Sequence, residues 1–379
     1  MRIVIAPDSF KECLTATQVA SAISEGILRI FPEAEIICIP MADGGEGTVK
    51  SLVAATRGRI IPTSSLDALN RPIQSFYGVL GDGKTAVIEM AAASGIELLS
   101  IEERNPLITS TFGTGLLIKA AMEAGYLQII LGIGGSATND GGAGMAKALG
   151  FGLLDINDHQ IDPGGGSLGK IHTIDRSNVN PLLQKVKITV AGDVRNPLLG
   201  TSGATYVYGP QKGATPEMLE ILENNLSHFS GVLEQEFGEN FANIPGAGAA
   251  GGLGAGLMAF CGAKIVSGFD LINQLTHLEE QISQSTLVFT GEGKIDSQTA
   301  YGKTVSGVAQ VAKKHGILVV ALAGMTAGDL TEIHQLGVSS VFAIADRPMS
   351  LEESKERAGE LLASSSERIM RLIKEIQNT

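Results

Sequence analysis

Residues 128–150, QIILGIGGSATNDGGAGMAKALG, limit what the rest of the chain can build. An apolar strand at 129–131 runs into Gly132, Gly134, Gly135, Ser136, Thr138, Gly141, Gly142 and Gly144. The segment closes on a helical pattern carried by Met145, Ala146, Ala148 and Leu149. A strand end, a bend of exposed backbone N–H groups and a helix N-terminus together attract anions, because orphan donors and the helix dipole point outward there. Glycines let such a bend take positive φ and let a ligand come close to the backbone. The segment therefore predicts a phosphate or carboxylate cradle formed by Gly134, Gly135, Ser136, Thr138 and Asn139.

The flanking chain predicts where the cradle sits. Strand 2–6, turn 7–11, helix 17–30, strand 35–40, turn 42–48 and helix 49–56 follow the rhythm of a doubly wound parallel sheet. Ligands of such sheets gather beyond the carboxyl ends of the strands. That places Asp8, Ser9 and Lys11 in one turn at the ligand edge and Asp43 and Glu46 in the next. Asp43 and Glu46 flank glycines, which suits metal contact. From residue 58 the pattern changes to three strands at 59–65, 72–80 and 85–90 joined by short turns, an antiparallel arrangement. A helix at 114–124 leads back to the cradle strand. Strand 187–191 ends beside Asp193, a glycine turn carries Lys212, and a long helix spans 215–237. The glycine-dense bend 244–256, with Gly248, Gly251 and Gly252, precedes a small-residue helix. Strand 286–290, loop 291–302, helix 303–315, strands 317–323 and 338–344, and an amphipathic helix at 351–376 complete an α/β chain. The expected division is one α/β domain from 1–57, 105–150 and 285–379, and a second, inserted α/β domain of mixed-sheet topology from 58–104 and 151–284.

Charge narrows the partners. A net charge of −12 disfavours nucleic acid and anionic membranes, although a local lysine or backbone nest still admits a small anion. Cys13, Cys38 and Cys261 are three and widely spaced, which fits neither a disulfide framework nor a zinc knuckle. No apolar run approaches the roughly 20 residues of a membrane span, so a cytoplasmic setting is the expectation. The sequence is compatible with a monomer or a homo-oligomer.

Two formal motifs need structural context. Gly78, Gly83, Lys84 and Thr85 satisfy the P-loop spacing, but a strand pattern follows where a P-loop needs a helix. Gly132, Gly134 and Ala137 match a dinucleotide turn with Asp155 near the ribose-binding distance, which keeps a nicotinamide-dependent dehydrogenase of a small hydroxy acid as an alternative. The loop 290–303 is the stronger signal, since it packs Glu292, Lys294, Asp296 and Lys303 into one connection. Phosphoryl transfer needs such a mixture, a cation for the moving charge and a carboxylate for Mg²⁺ or for the attacking hydroxyl's proton. Ser9 has no histidine placed to activate it, so it reads as a substrate contact.

Seven segments, IAPDSFK, PMADGGEGT, GIGGSATNDGGAGM, AGDVRNPLLG, YGPQKGA, PGAGAAGGLGAG and TGEGKIDSQTAYGK, together closely resemble the type-1 glycerate kinase family, in order and almost end to end. The resemblance implies ATP- and Mg²⁺-dependent phosphorylation of D-glycerate to a phosphoglycerate, the 2-phosphoglycerate favoured. It also implies a flavodoxin-like α/β domain beside a second α/β domain, with the active site in the cleft. On chemistry at the matched positions, Asp193, Lys294, Asp296 and Lys11 are the expected catalytic residues. Asp8, Ser9, Gly134, Gly135, Ser136, Thr138, Asn139, Lys212, Gly248, Gly251, Gly252, Glu292 and Lys303 are the expected substrate and phosphate contacts, and Asp43, Glu46 and Asp193 the Mg²⁺ ligands. A non-catalytic sensor of small organic acids is the remaining alternative.

Overall fold

The computed structural model describes every residue except 42–44, 46, 301–303 and 379. Its strands are β1 (Arg2–Ile5), β2 (Glu35–Cys38), β3 (Arg59–Leu66), β4 (Pro72–Val79), β5 (Thr85–Glu89), β6 (Gln128–Gly132) and β7 (Gly152–Leu154). They continue as β8 (Thr173–Asp175), β9 (Lys187–Ala191), β10 (Lys264–Val266), β11 (Leu287–Ile295), β12 (Leu318–Thr326) and β13 (Ser340–Ala343). The chain forms two compact units. One comprises Met1–Asp43, Lys50–Arg57 and Phe269–Thr379, the other Gly44–Val49 and Gly58–Gly268.

The first unit holds a five-stranded sheet in the order β13-β12-β11-β1-β2, with every neighbouring pair parallel. Renumbered within the unit, this is the 2-1-3-4-5 order of flavodoxin-like sheets, and the winding reverses between β1 and β11. Strand alternation sends Ile3 and Ile5 to one face. There they join Leu287, Phe289, Val320 and Leu322 in a core shared with helices Ala16–Leu28 and Ala358–Gln377. Thr15 starts the first helix with a reciprocal cap: its hydroxyl accepts from Gln18 N while Gln18 Oε1 accepts from Thr15 N. Gly26 lets the two helices meet, since a Cβ there would stand 2.1 Å from the Ala363 carbonyl oxygen. The helix expected over 351–376 is two helices, Leu351–Glu356 and Ala358–Gln377. They part at Arg357, which ion-pairs with Asp346, Glu353 and Glu360.

The second unit holds a six-stranded mixed sheet in the order β10-β9-β6-β5-β4-β3, and β7 and β8 form an antiparallel ribbon. β3, β4 and β5 are antiparallel neighbours, as their spacing predicts, while β5, β6, β9 and β10 run parallel. Lys84 and Thr85 lie at the β4–β5 hairpin, so the P-loop spacing is a turn. The cradle strand β6 pairs with β5 and β9 in this sheet, and not in the five-stranded sheet to which the sequence rhythm assigns it. The crossover from β5 through helix Phe112–Glu123 makes β6 the neighbour of the strand before it, the usual outcome for consecutive strands. Helix Pro216–Phe237, capped by Thr215 and ended by Gly238 at φ +72°, buries Leu226, Phe229 and Leu233 in this unit's core. Among the described residues no helix is long and apolar enough to cross a membrane.

Candidate active site

Parallel strands put their carboxyl ends on one edge, and in the first unit the reversal point lies where β1 and β11 leave the sheet. Asp8 follows β1, and its N–H donates to the Gly291 carbonyl at 2.8 Å. Its carboxylate accepts the N–H of Ser9 at 2.6 Å. Lys11 is exposed in the next bend, which closes through Phe10 N donating to Leu14 O at 2.9 Å.

β11 is longer than the strand expected over 286–290. It continues to Ile295, in register with β12 through Lys294–Met325 and Ile295–Thr326, so Glu292 and Lys294 stand on a strand and not in a loop. Glu292 is half-buried, and its Oε1 is a buried atom with no hydrogen-bond partner among the described residues. Burial pushes its carboxyl up from the ordinary value. The Thr299 hydroxyl opposes that push, Asp8 and Asp296 add to it, and Lys11 offsets part of it. Asp296 has the opposite setting. Lys294 Nζ lies 2.7 Å from its Oδ2 and Gln298 N donates to its Oδ1 at 2.8 Å, which holds it below the usual carboxylate range, Lys294 foremost. Five expected site residues, Asp8, Lys11, Glu292, Lys294 and Asp296, thus gather at one sheet edge. Asp43, Glu46 and Lys303 lie outside the described residues.

In the second unit the carboxyl ends of β5, β6 and β9 lead into Glu89, the glycine-rich segment and Asp193. Gly135, at φ +72°, has its carbonyl accepting from Ile96 N at 2.8 Å, and Ala137 N donates to Ser94 O at 3.0 Å. Gly134 and Ser136 lie on this same stretch, Ser136 bridged to Gly95. The segment differs from the predicted anion cradle at its helical end. The fully buried Asp140 carboxylate accepts Thr111 N at 2.7 Å, Thr111 Oγ1 at 2.9 Å, and Gly142 N and Gly144 N at 3.2 Å each. Met145 N donates to Thr111 Oγ1 at 2.9 Å. The donors at this turn are answered by the chain's own side chains. Burial raises the Asp140 carboxyl, and the bonds from Thr111, Gly144 and Gly142 oppose it.

Lys212, expected to face phosphate, is 1% exposed, and its Nζ donates to the Thr138 carbonyl at 2.7 Å. Desolvation lowers its ammonium to about 7 against the pull of Asp140. It serves here as a strut under the segment. Asn139 Nδ2 donates to Thr205 Oγ1 at 3.3 Å, while Thr138 Oγ1 and Asn139 Oδ1 are buried with no hydrogen-bond partner among the described residues. Gly248, Gly251 and Gly252 are close-packing positions: an added Cβ would stand 2.1 Å from Pro197 O, 2.0 Å from Thr138 O and 2.9 Å from Leu198 Cδ1 respectively. Asp193 is half-buried beyond β9, its Oδ1 accepting Gly268 N at 3.2 Å.

Sequence reasoning missed three buried residues here. Glu89 ends the apolar run Thr85–Glu89 and is 5% exposed, with Oε1 accepting Val49 N at 2.6 Å. A carboxylate closing a Val/Ile strand was its readable signal. Asp140 had a weaker one, an acid directly before two glycines, and Thr111 had none. Among the described residues no group of three or more His, Cys, Asp and Glu side chains has the geometry to hold a metal ion. The dinucleotide turn is also not formed, because the helix after Gly132 begins only at Ala143 and the Asp155 carboxylate accepts Asn157 N and His159 N of its own hairpin.

Comparison with known proteins agrees with the seven segments. The model of the glycerate kinase family matches residues 3–374. A glycerate kinase of Bacillus subtilis (strain 168) is 49% identical over 374 residues, covering 99% of this chain and 98% of the relative. A glycerate 2-kinase of Escherichia coli (strain K12) is 48% identical over 369 residues, covering 97% of each. A solved structure from Salmonella typhimurium LT2 that carries the glycerate kinase 2 name is similar over 100% of both chains, with TM-score 0.90 and 44% identity. With the family model spanning nearly the whole sequence and a full-length structural match, this chain belongs to the glycerate kinase family.

Proposed function

We propose that the chain transfers the terminal phosphoryl group of ATP to D-glycerate, with the 2-hydroxyl as acceptor and 2-phosphoglycerate as product. The carrying observation is Glu292, a carboxylate with a buried oxygen that has no partner among the described residues, at the reversal point of a parallel sheet, in a chain of this family. The glycerate 2-kinase name of the Escherichia coli relative supports the choice of hydroxyl.

Glu292 accepts the proton of the attacking hydroxyl. It suits that role better than Asp296, whose oxygens are already held by Lys294 and Gln298 N and whose basicity is correspondingly low. Lys294 and Lys11 offer positive charge to the transferred group, and Asp8 and Ser9 shape the turn beside them. In the second unit, Gly134, Gly135, Ser136, Thr138 and Asn139 bind phosphate or the glycerate carboxylate through the part of the segment that Asp140 does not occupy. Mg²⁺, when bound with the nucleotide, neutralises phosphate charge, and Asp193 would hold it as one carboxylate beside the phosphate oxygens. The division of the chain into two compact units supports a two-domain reading, and the number and wide spacing of its three cysteines support a reducing, cytoplasmic setting.

The test is ADP release, coupled to a reporter enzyme, with ATP, Mg²⁺ and D-glycerate. A paired thermal shift should rise with ATP–Mg²⁺ and stay flat with NAD(H), since a ligand of the native state stabilises it. No ADP above the glycerate-free control, or a shift with NAD(H) alone, would remove the kinase reading.

A further inference from the structure

One cavity of the second unit has no part in that reading. It measures about 230 Å³ and is walled by Leu66, Phe112, Ile161 and Pro163, with Asn70 and Asp162 also lining it. Among the described residues that line it, Lys147 is the one cation. That ammonium already donates to the Ile161 carbonyl at 2.7 Å and lies in the field of Asp162. One lysine and one aspartate leave the lining with no net charge to offer an anion. Apolar walls with a few polar groups suit a neutral heteroaromatic ring. An adjoining hollow of about 530 Å³ shares Asn70, Asp162 and Pro163, which gives the remainder of a larger ligand somewhere to go.

The cavity also shares a wall with the glycine-rich segment. Ser110 and Phe112 line it, and Thr111 between them donates twice to Asp140. Gly144 lines it too, and its N–H donates to the same carboxylate. A ring seated here would therefore press on the turn that fixes Thr138 and Asn139.

We infer that this cavity receives the purine base of the phosphoryl donor. Side-chain amides and carboxylates read the polar edge of adenine, the amide at its ring nitrogen and exocyclic amine and the carboxylate at the amine, so Asn70 and Asp162 supply the specificity. The inference rests on the kinase reading of the preceding section.

The experiment uses 8-azido-ATP on the wild-type full chain, followed by peptide mapping. Label is expected on 66–70, 107–112 or 161–167, with adenosine protecting and inorganic tripolyphosphate failing to protect. Label confined to other peptides, or protection by tripolyphosphate alone, overturns the inference. A filling variant, Leu66→Trp, reads the same point by kinetics: KM for ATP should rise about tenfold or more while KM for D-glycerate moves by less than about threefold. A folded variant with unchanged KM for ATP contradicts the assignment. Photolabelling decides if the variant does not fold. Absence of ADP formation by wild type, with label at these peptides, would remove the kinase reading and leave a purine site.

Discussion

The N–H of Asp8 donates to the Gly291 carbonyl at 2.8 Å, which pins the turn leaving β1 to β11 one residue before Glu292. Two segments 283 positions apart are thereby fixed at the one place where the winding of the parallel sheet reverses. With Ala6 N donating to Phe289 O at 2.8 Å, it brings Asp8 and Lys11 to the edge that carries Glu292, Lys294 and Asp296.

Glu292→Gln should lower kcat by about a hundredfold or more while leaving the fold intact. Because burial first, then Asp8 and Asp296, raise the Glu292 carboxyl, the acid limb of kcat/KM should lie above the ordinary carboxylate range. Asp296→Asn should move that limb to lower pH, and Lys11→Met should move it higher, since Lys11 favours the charged form. A carboxyl raised by folding costs stability as pH climbs through its folded value, so Glu292→Gln should melt at or above the wild-type temperature at neutral pH. Steady-state kinetics across pH and a calorimetric scan check these outcomes. A Gln variant within about threefold of wild type would exclude Glu292 as the base.

Lys294→Ala should cut kcat far more than stability. The Lys294–Asp296 pair is 2.7 Å long, but the lysine side chain is 53% exposed, and such surface pairs contribute less than about 1 kcal/mol. Urea unfolding beside a kinetic assay separates the two effects. Loss of stability without loss of rate would make the pair structural.

Lys212 gives a stability signature in the opposite pH range. Its folded ammonium value of about 7 lies below the ordinary 10.5. The cost of burying the charge is therefore full below about 7 and fades as pH rises toward 10.5. Wild type should gain on Lys212→Met as pH is raised above 7, with a slope of at most about 1.4 kcal/mol per pH unit. Denaturant midpoints of both proteins at several pH values check this. A constant difference would mean that Lys212 does not titrate in the folded state.

Gly251 and Gly83 share φ +67°, but an added Cβ meets Thr138 O at 2.0 Å at the first and nothing within 4 Å at the second. Gly83→Ala should cost about 1 kcal/mol, the left-handed backbone penalty alone. Gly251→Ala should cost about 3 kcal/mol or more, because the 138–142 segment must move as well. Equal costs in ligand-free unfolding would contradict the packing role assigned to Gly251.

Much of this was readable in the sequence wherever local pattern and tertiary outcome coincide. The β1 turn with Asp8 and Lys11, the antiparallel run β3–β5 and the cluster of Glu292, Lys294 and Asp296 are written in short, contiguous stretches. The extension of β11 to Ile295 was not legible, because GEGK looks like a loop until β12 is alongside to pair with it. The Asp140–Thr111 bonds join residues 29 apart, and no spacing rule connects them. Lys212 and Gly251 misled for one reason. A lysine or glycine in a bend looks ligand-facing in sequence, whereas here packing turns the lysine against Thr138 and seats the glycine under it.

Phosphorus NMR of D-glycerate, ATP and Mg²⁺ incubated with the wild-type chain tests the central claim most directly. The account predicts a growing 2-phosphoglycerate resonance matched by ADP, abolished in Glu292→Gln. A 3-phosphoglycerate resonance would contradict the choice of hydroxyl, and ATP left unchanged beside D-glycerate would contradict the kinase assignment itself.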